Sequence, residues 1–511
     1  MLTGALLLAA EQGPDCSKLA LCRSDRVVVV TTDRPDLPGV VSARARGLVQ
    51  LEVTQAELVR LHALDVVVRE PFIASPMEVT SEGLADVFST EDWHAAGLSG
   101  EGVTVAIFDV GFRGYENHLG TELPDEVETH FYPGWDDLVH GTQVTEVLHD
   151  VAPGADLRLY YFWTDVEFLE SVEHIAAAGD IDVVNASIGF ENIHHTDGTS
   201  LYSEAVAELI EGGVHWFNAA GNEGANTWTG RLGDYTPVKA TVDGGSVYVN
   251  LRWMDDWGAS ANDLDLVLEG AESGEVCGRS RRTQDGSQDP YESVRCDSDD
   301  DLVRVVIEHD GAPDDLEVVI WTDEEITPAQ PDRSLVLPAD ARDANAVAAV
   351  FWESDELAWY SSWGPTDDGR EKPDLSAPTY VTVASGAGWF GGTSCASPHA
   401  AGAGALLLEA LGPMPPAELT AELRARTRDL GSEGWDPQFG AGYLALGDVP
   451  QVPVDSPVDS DDAADSAPAR LEDPEDPEQR GCGCATGAPV GWAALIGALL
   501  LRRSRGPRSR R

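Results

Sequence analysis

Ser394 stands where a glycine-rich turn is predicted to become a helix, in the segment GTSCASPH at residues 392–399. The first amide groups of a helix point toward such a hydroxyl and favour negative charge beside it. A serine held in this way is suited to act as a nucleophile. Read alone, the same pattern is equally typical of a capped and buried helix start. The residues upstream must decide between the two interpretations.

Asp109, His140 and Asn222 carry the groups that a serine nucleophile requires. Asp109 ends the apolar run 103–108, so it is predicted at the carboxyl end of a buried parallel strand, where open α/β sheets collect functional groups. His140 is predicted to begin a helix, and its imidazole can take the proton of a serine hydroxyl. Asn222 follows another buried strand, and its amide can donate to an oxyanion. Individually, Asp109 could cap a loop and Asn222 could stabilise a turn.

Strands and helices alternate around these residues. The apolar runs at 103–108, 182–189 and 214–222 predict buried strands. Residues 166–178 and 203–212 predict the helices that separate them. The alternation indicates right-handed β-α-β connections, and therefore an α/β fold with a mainly parallel sheet.

The composition limits the class of partner. The chain has 511 residues, of which 42% are hydrophobic, so it can bury a sizeable core. Its formal net charge is -56. This charge argues against a nucleic-acid partner, because phosphate groups are bound by clustered Lys and Arg.

The order Asp109, His140, Asn222, Ser394 resembles the order of functional residues in the subtilisin-like serine peptidases, the subtilases of peptidase family S8. The resemblance covers about residues 92–448, and its motifs are DVG at 109–111, HGT at 140–142, YSSWGP at 360–365, KPDLSAP at 372–378 and the serine segment at 392–402. It implies a three-layer, subtilisin-like α/β fold in a peptidase domain at 90–448. It also implies a catalytic triad of Asp109, His140 and Ser394, with Asn222 in the oxyanion hole.

The resemblance further implies a substrate site and a reaction. Ser187, Ile188 and Gly189 would form a strand edge that pairs with extended substrate backbone. The wall of the first specificity pocket would be formed by Ala219, Ala220 and Gly221. The implied reaction is hydrolysis of peptide bonds in protein or peptide substrates by a monomer, through an acyl-enzyme and without a required cofactor.

The chain departs from the family pattern at two places. Gln143, Thr145 and Glu146 follow the histidine motif, where relatives usually have another histidine and small residues, so this helix is expected to be packed or charged differently. Cys395 follows the serine, but adjacent helical positions do not share a face. The Cys395 thiol is therefore expected to point away from His140, which argues against a thiol peptidase.

Two other functional classes remain as alternatives. One is a catalytically silent surface-binding protein that uses a β-rich insert, and the complete triad argues against it. The other is an esterase of the α/β-hydrolase type, and the absence of a Gly-x-Ser-x-Gly motif around Ser394 argues against that class.

The β-rich insert is predicted at about residues 236–327. Its strand-like runs have the spacing of a sandwich and lie at 246–253, 264–268, 302–307 and 316–321. An acidic cluster offers oxygen ligands of the kind that calcium favours, at Asp255, Asp256, Asp263 and Asp265. Because no EF-hand spacing is present, solvated acidic loops are the alternative to a structural calcium site.

The N-terminal residues suggest export and processing. Residues 1–12 resemble the end of a truncated signal peptide. Residues 16–80 are predicted to contain strands at 26–32, 48–53 and 66–71 and a helix at 55–63. The position and size of this α+β unit resemble those of a subtilase propeptide, with a cleavage site expected at 72–80. The alternative is an ordinary N-terminal domain that stays attached.

The C-terminal residues suggest attachment to a bacterial envelope. Residues 449–480 are rich in Pro, Asp, Glu and Ser and predict a solvated linker. Residues 481–511 contain a Gly-Cys-Gly-Cys motif, an apolar helix and an Arg-rich end. They resemble a myxobacterial sorting signal, and a plain membrane anchor is the alternative. Both interpretations place the folded part outside the cytoplasm, either secreted or at the cell surface or outer membrane. In that environment the two close pairs of cysteines would form disulfides.

Overall fold

The computed structural model describes residues 26–450, except residues 33, 65, 70–74, 77–89, 134–137 and 387–388. The predicted signal peptide, the acidic linker beyond residue 450 and the C-terminal segment lie outside the described residues, as do Cys16 and Cys22. Most of the expected cleavage region, 72–80, also lies outside them. Within the part that the structure describes, no helix is long and apolar enough to cross a membrane.

The first elements form a four-stranded antiparallel sheet with one helix. They are β1 (Arg26–Thr31), β2 (Val40–Ala45), β3 (Leu48–Val53), α1 (Gln55–His62), β4 (Val67–Arg69) and the separate short strand β5 (Ser75–Pro76). The strand order is β2-β3-β1-β4. Helix α1 begins after Thr54, whose hydroxyl and backbone form a capping box with Glu57. We call this part the N-terminal unit.

The next elements alternate between strands and helices, as the apolar pattern predicts. They are α2 (Thr90–Ala95), β6 (Thr104–Asp109), β7 (Glu128–Phe131), α3 (His140–Val151), β8 (Asp156–Tyr161), α4 (Asp165–Ala178), β9 (Val183–Ala186), β10 (Ile188–Gly189), α5 (Leu201–Glu211) and β11 (His215–Ala219). Helix α4 begins after Thr164 with a second capping box, and its C-cap Gly179 is left-handed.

Nine strands then form two antiparallel sheets between residues 227 and 327, which we call the β unit. They are β12 (Thr227–Arg231), β13 (Lys239–Thr241), β14 (Ser246–Trp253), β15 (Leu264–Gly270), β16 (Val276–Ser280), β17 (Tyr291–Asp297), β18 (Leu302–His309), β19 (Glu317–Thr322) and β20 (Ile326–Thr327). The sheet orders are β12-β19-β14-β17 and β16-β15-β18-β13-β20. A disulfide between Cys277 and Cys296 joins β16 of one sheet to β17 of the other.

The remaining elements complete the central sheet. They are β21 (Asn345–Phe351), β22 (Glu356–Leu357), β23 (Leu375–Thr379), β24 (Val381–Thr382), β25 (Trp389–Phe390), α6 (Thr393–Leu411), α7 (Pro416–Ala425), β26 (Thr427–Arg428) and β27 (Tyr443–Leu444). The order across the sheet is β26-β27-β23-β21-β11-β9-β6-β8-β7, with β22 paired to β21. The pairs from β7 to β23 along this order are parallel.

Apolar side chains cover both faces of this sheet, which explains the continuous apolar runs. Alternate residues of a strand point to opposite faces. In β6, Val105 and Ile107 join the core that contains α3 and α6. Ala106 and Phe108 join the core that contains α4 and α5. The result is a three-layer arrangement with the sheet in the middle.

The run at 182–189, which predicts one strand, forms two. Strand β9 pairs with β6 and β11 in the central sheet. Strand β10 leaves that sheet and pairs with β5 of the N-terminal unit instead. The break falls at Ser187, whose hydroxyl donates to the Ser394 carbonyl oxygen at 3.0 Å. The chain therefore contacts α6 at the point where it passes from the central sheet to β5.

Charged contacts join the N-terminal unit to α4 and α5. Arg69 forms an ion pair with the buried carboxylate of Asp165, which also accepts from the Tyr202 hydroxyl at 3.0 Å. Arg46 pairs with Glu208 at 2.6 Å. These contacts hold the N-terminal unit on the side of the molecule formed by α4 and α5.

Candidate active site

Asp109 and His140 form a buried pair at the carboxyl end of β6. Both Asp109 carboxylate oxygens lie 2.9 Å from His140 Nδ1. The Val110 backbone amide donates to the same carboxylate at 2.8 Å. Burial raises the pKa of Asp109, and the adjacent His140 imidazole opposes that change. The contact fixes the imidazole with Nδ1 toward Asp109 and Nε2 on the opposite side of the ring.

Gly111 and Gly141 let the turn after β6 and the first turn of α3 meet backbone to backbone. The Gly141 amide donates to the Gly111 carbonyl oxygen at 2.7 Å. A Cβ on Gly141 would lie 2.7 Å from that oxygen and 2.8 Å from the Asp109 Cβ. A Cβ on Gly111 would lie 2.6 Å from the Leu138 Cβ. The glycines of both motifs are therefore required by the spacing of the Asp109–His140 pair.

Ser394 is the second residue of α6 and is fully buried. The preceding Gly392 has φ 96° and donates its amide to the Tyr360 hydroxyl at 3.0 Å. This contact explains the tyrosine of the motif at 360–365, which the sequence alone did not interpret. The Ser394 hydroxyl donates to the Ser187 carbonyl oxygen at 3.2 Å. The nucleophile candidate is thus held at a helix start and beside the strand edge that begins at Ser187.

Cys395 lies in the core behind the site. Its side chain is fully buried, and burial raises the pKa of its thiol well above the usual range. The groups that affect this pKa, Thr379, Tyr380 and Val381, lie around β23 and β24. A thiolate nucleophile is disfavoured at this position, in agreement with the interpretation from helical spacing.

Asn222 lies against the first residue of α6. Its Oδ1 accepts from the Thr393 backbone amide at 2.9 Å and from the Thr393 hydroxyl at 3.1 Å. Its Nδ2 is buried, and among the described residues no hydrogen-bond acceptor contacts it. A buried donor without an acceptor is unfavourable unless a ligand or water uses it. Thr393 therefore orients Asn222 so that Nδ2 is available for a developing negative charge.

The other predicted substrate-site residues lie around the same helix start. Ser187 exchanges hydrogen bonds with Ser394, and β10 presents Ile188 and Gly189 as a strand edge. Ala219 and Ala220 are fully buried. The Gly221 amide, on the way to Asn222, donates to the Thr393 hydroxyl at 3.2 Å. A Cβ on Gly221 would come within 2.5 Å of the Ser362 Oγ, and its φ is 116°.

The acidic cluster of the β unit does not converge. The Asp255 carboxylate accepts from the backbone amides of Ala261 and Asn262, at 2.9 and 2.7 Å. Asp263 accepts from the Gln284 amide at 3.0 Å, and Asp265 lies 3.4 Å from Arg281. The backbone carbonyl oxygen of the candidate Asp256 accepts from the Ala259 amide at 3.0 Å. In the regions that the structure describes, no group of three or more His, Cys, Asp and Glu side chains could hold a metal ion.

Several residues that shape the site were not found from the sequence. Phe390 places its ring 5.5 Å from the His140 ring, edge to face. Glu223, next to Asn222, is buried and binds the indole N–H of Trp321, and burial raises its pKa to about 7. Thr393 is the partner of Asn222. Only Thr393, as the neighbour of Ser394, carried a signal that could have identified it.

Known proteins share the fold of this chain and part of its sequence. Residues 323–442 match the subtilase family. That segment contains Ser394, whereas Asp109, His140 and Asn222 precede it. The fold is similar to that of the Clostridium perfringens CspB protease, with a TM-score of 0.56, 17% identity, and coverage of 71% of this chain and 98% of that chain. None of the curated protein sequences matches the chain.

The two matches together show a subtilase-like α/β fold, with a sheet that includes parallel strands, and they support a serine peptidase. The family match covers less than half of the chain, so the identity of the catalytic residues depends on the geometry described above.

Proposed function

We propose that the chain is a serine endopeptidase that uses Asp109, His140 and Ser394 as its catalytic triad. The observation that carries the proposal is the buried Asn222 Nδ2, held by Thr393 beside the start of the helix that bears Ser394. Hydrolysis of an amide needs such a donor where the carbonyl oxygen becomes negative. A helix start that is only packed in the core does not require such an oriented amide donor.

The reaction proceeds in two halves. The Ser394 oxygen attacks the carbonyl carbon of the scissile bond while His140 Nε2 takes the hydroxyl proton. Asp109 keeps Nδ1 protonated and stabilises the imidazolium. Asn222 Nδ2 and the Ser394 amide bind the oxyanion. The C–N bond then breaks as His140 gives its proton to the leaving amine, and water hydrolyses the acyl-enzyme by the reverse proton path.

Extended substrate binds along β10. In the structure, β5 pairs with this edge in antiparallel register, with Pro76 opposite Ile188 and Ser75 opposite Gly189. A segment of the N-terminal unit therefore lies where substrate backbone is expected. This pairing supports the propeptide interpretation of the unit over that of an independent domain. Ala219, Ala220 and Gly221 wall the first specificity pocket, and calcium has no catalytic role in the scheme.

The enzyme acts as a monomer outside the cytoplasm, attached to the envelope through the C-terminal segment. The disulfide between Cys277 and Cys296 supports an oxidising compartment. The surface-binding alternative is not favoured, since a silent protein would not need the Asp109–His140 contact or the oriented Asn222.

A fluorophosphonate probe tests the proposal. The wild-type chain should be labelled at Ser394, mapped by mass spectrometry, and should cleave denatured casein. The assay is run before and after limited digestion with the metalloprotease thermolysin, which the probe does not label, so that a bound N-terminal unit cannot hide the site. Ser394→Ala should lose both activities and keep its N-terminal unit. Cys395→Ala, at the buried neighbouring position, is the control and should be labelled. Folded wild type that stays unlabelled in both states would reject the enzyme.

A further inference from the structure

Glu146 is a buried carboxylate that the reaction does not use. It lies on α3, nearly two turns beyond His140, and is 1% exposed. Its oxygens accept from the backbone amides of Ala384 at 2.6 Å and Ser385 at 2.9 Å. Gln143, on the same helix, donates its side-chain amide to the Ser385 carbonyl oxygen at 3.4 Å. Helix α3 thus holds both the amide and the carbonyl group of Ser385.

Ala384 and Ser385 lie between β24 and β25, the two strands of a short antiparallel hairpin. Val381 pairs with Phe390, and Thr382 pairs with Trp389. We call the described residues of this segment, 381–386 and 389–390, the hairpin. It ends only four residues before Ser394 along the chain.

The hairpin meets α3 at two separate points. Glu146 and Gln143 hold it at Ala384 and Ser385, and the buried Phe390 ring packs edge-on against the His140 ring. The helix that carries the base is therefore joined to the segment that leads to the nucleophile. A shift of the hairpin would move both the support of the imidazole and the entry into α6.

Burial of the Glu146 carboxylate costs free energy that an apolar side chain of similar size would not cost. Burial raises its pKa, against the influence of the Ser385 and Ala384 donors and of His118, whose Nδ1 is 3.9 Å away. A buried carboxylate loses its hydration, and only well-placed donors offset that loss. Here the donors are backbone amides of the hairpin, so what the carboxylate fixes is the path of the hairpin backbone.

We propose that Glu146 is a positioning residue for the reaction: by binding the Ala384 and Ser385 amides, it sets the position of His140 relative to Ser394. The inference rests on the proposed function and deepens it. Glu146 touches neither substrate nor the reacting atoms. Its effect reaches His140 through Phe390, and it reaches Ser394 through the chain that follows the hairpin.

Glu146→Gln is the variant that tests this role, because it keeps the volume, removes the charge and replaces one of the two oxygens that accept from the Ala384 and Ser385 amides with an N–H donor. The matched control is Glu409→Gln. Glu409, on α6, also accepts from backbone amides, those of Ser99 at 2.7 Å and Gly100 at 2.6 Å, in the turn before β6. Both variants replace a carboxylate that accepts from backbone amides with a neutral amide, and only one of the two side chains contacts the hairpin.

The readouts are the second-order rate of fluorophosphonate labelling, kcat and KM on a peptide, and urea unfolding. Glu146→Gln should lower the labelling rate and kcat about tenfold or more, since small displacements of catalytic groups cost that much or more. Its KM should change less than about threefold, because β10 is untouched. Glu409→Gln should keep the labelling rate and kcat even where its stability falls as far.

A second measurement remains informative if Glu146→Gln folds poorly. Glu146→Asp keeps the charge on a shorter side chain, and it is combined with Phe390→Leu in a double-mutant cycle. If Glu146 acts through Phe390, the two effects on labelling rate are not additive. Additive effects, a wild-type labelling rate in Glu146→Gln, or equal activity losses in Glu146→Gln and Glu409→Gln would each overturn the positioning role. Unlabelled wild type would overturn the proposed function as well, so the two failures are distinguishable.

Discussion

Substitutions of Asn222 distinguish its proposed catalytic role, as a donor to the oxyanion, from its structural role, as the acceptor for the Thr393 amide. Asn222→Ala removes the Nδ2 donor, and the loss of one oxyanion donor typically lowers kcat about 100- to 1000-fold, equivalent to roughly 3–4 kcal/mol of transition-state stabilisation. KM should change little, because the donor acts on charge that develops only in the transition state. The same variant also leaves the Thr393 amide without the Oδ1 acceptor at 2.9 Å. A buried amide without its partner costs about 1–3 kcal/mol of stability.

Asn222→Asp distinguishes the catalytic role of Asn222 from its structural role. Its carboxylate can still accept from Thr393, so the loss of stability should be smaller than in Asn222→Ala, while kcat should fall at least as far because an oxygen now faces the oxyanion. The assays are kcat and KM on a peptide substrate and urea unfolding at the same pH. If Asn222→Ala retains more than about a tenth of wild-type kcat, Nδ2 does not bind the oxyanion and the reasoning fails.

Two further predictions concern stability. Burial raises the pKa of Asp150 to about 7, with Glu122 and Glu146 adding to the shift, whereas in the unfolded chain an aspartate titrates at about 3.9. The free energy of unfolding should therefore fall as pH rises from about 4 to 7, because the unfolded state loses this proton first. In Asp150→Asn, the difference between the unfolding free energies at pH 5 and pH 8, measured with urea, should be smaller than in the wild type. An equal difference in the two proteins would refute the assignment. The disulfide closes a loop with a sequence separation of 19, so Cys277→Ala with Cys296→Ala should destabilise the β unit by about 3 kcal/mol. An unchanged unfolding midpoint by tryptophan fluorescence would contradict this.

Elements with a strong apolar pattern were predictable from the sequence. The run at 103–108 gave β6 within one residue, and the run at 246–253 gave β14 with the same bounds. Strand β2 was missed because its first three residues are exposed, including Val40 and Val41, so its pattern does not alternate. The division at Ser187 was missed because the partners of the chain there, β5 and α6, lie far away in the sequence, with Ser394 207 residues later.

Contacts between residues far apart in the chain also limited what could be predicted about the candidate site. Asp109, His140, Asn222 and Ser394 could be proposed from the sequence, since each lies within two residues of a glycine in a recognisable motif. Glu146 could be noted only as a departure from the family pattern. Its partners lie 238 and 239 residues away, and no local propensity indicates that pairing.

The long segment between Asn222 and Ser394 is compatible with the site because its ends meet. The β unit begins at Thr227 and ends at Thr327. At its base, the Ile326 amide donates to the Ala225 carbonyl oxygen at 2.9 Å, and the Thr322 amide donates to that of Asn226 at 3.1 Å. A segment that leaves and returns at neighbouring points costs little in chain entropy, even when it is long. It also lets the flanking backbone keep its spacing, so Asn222 reaches Thr393 across the insertion.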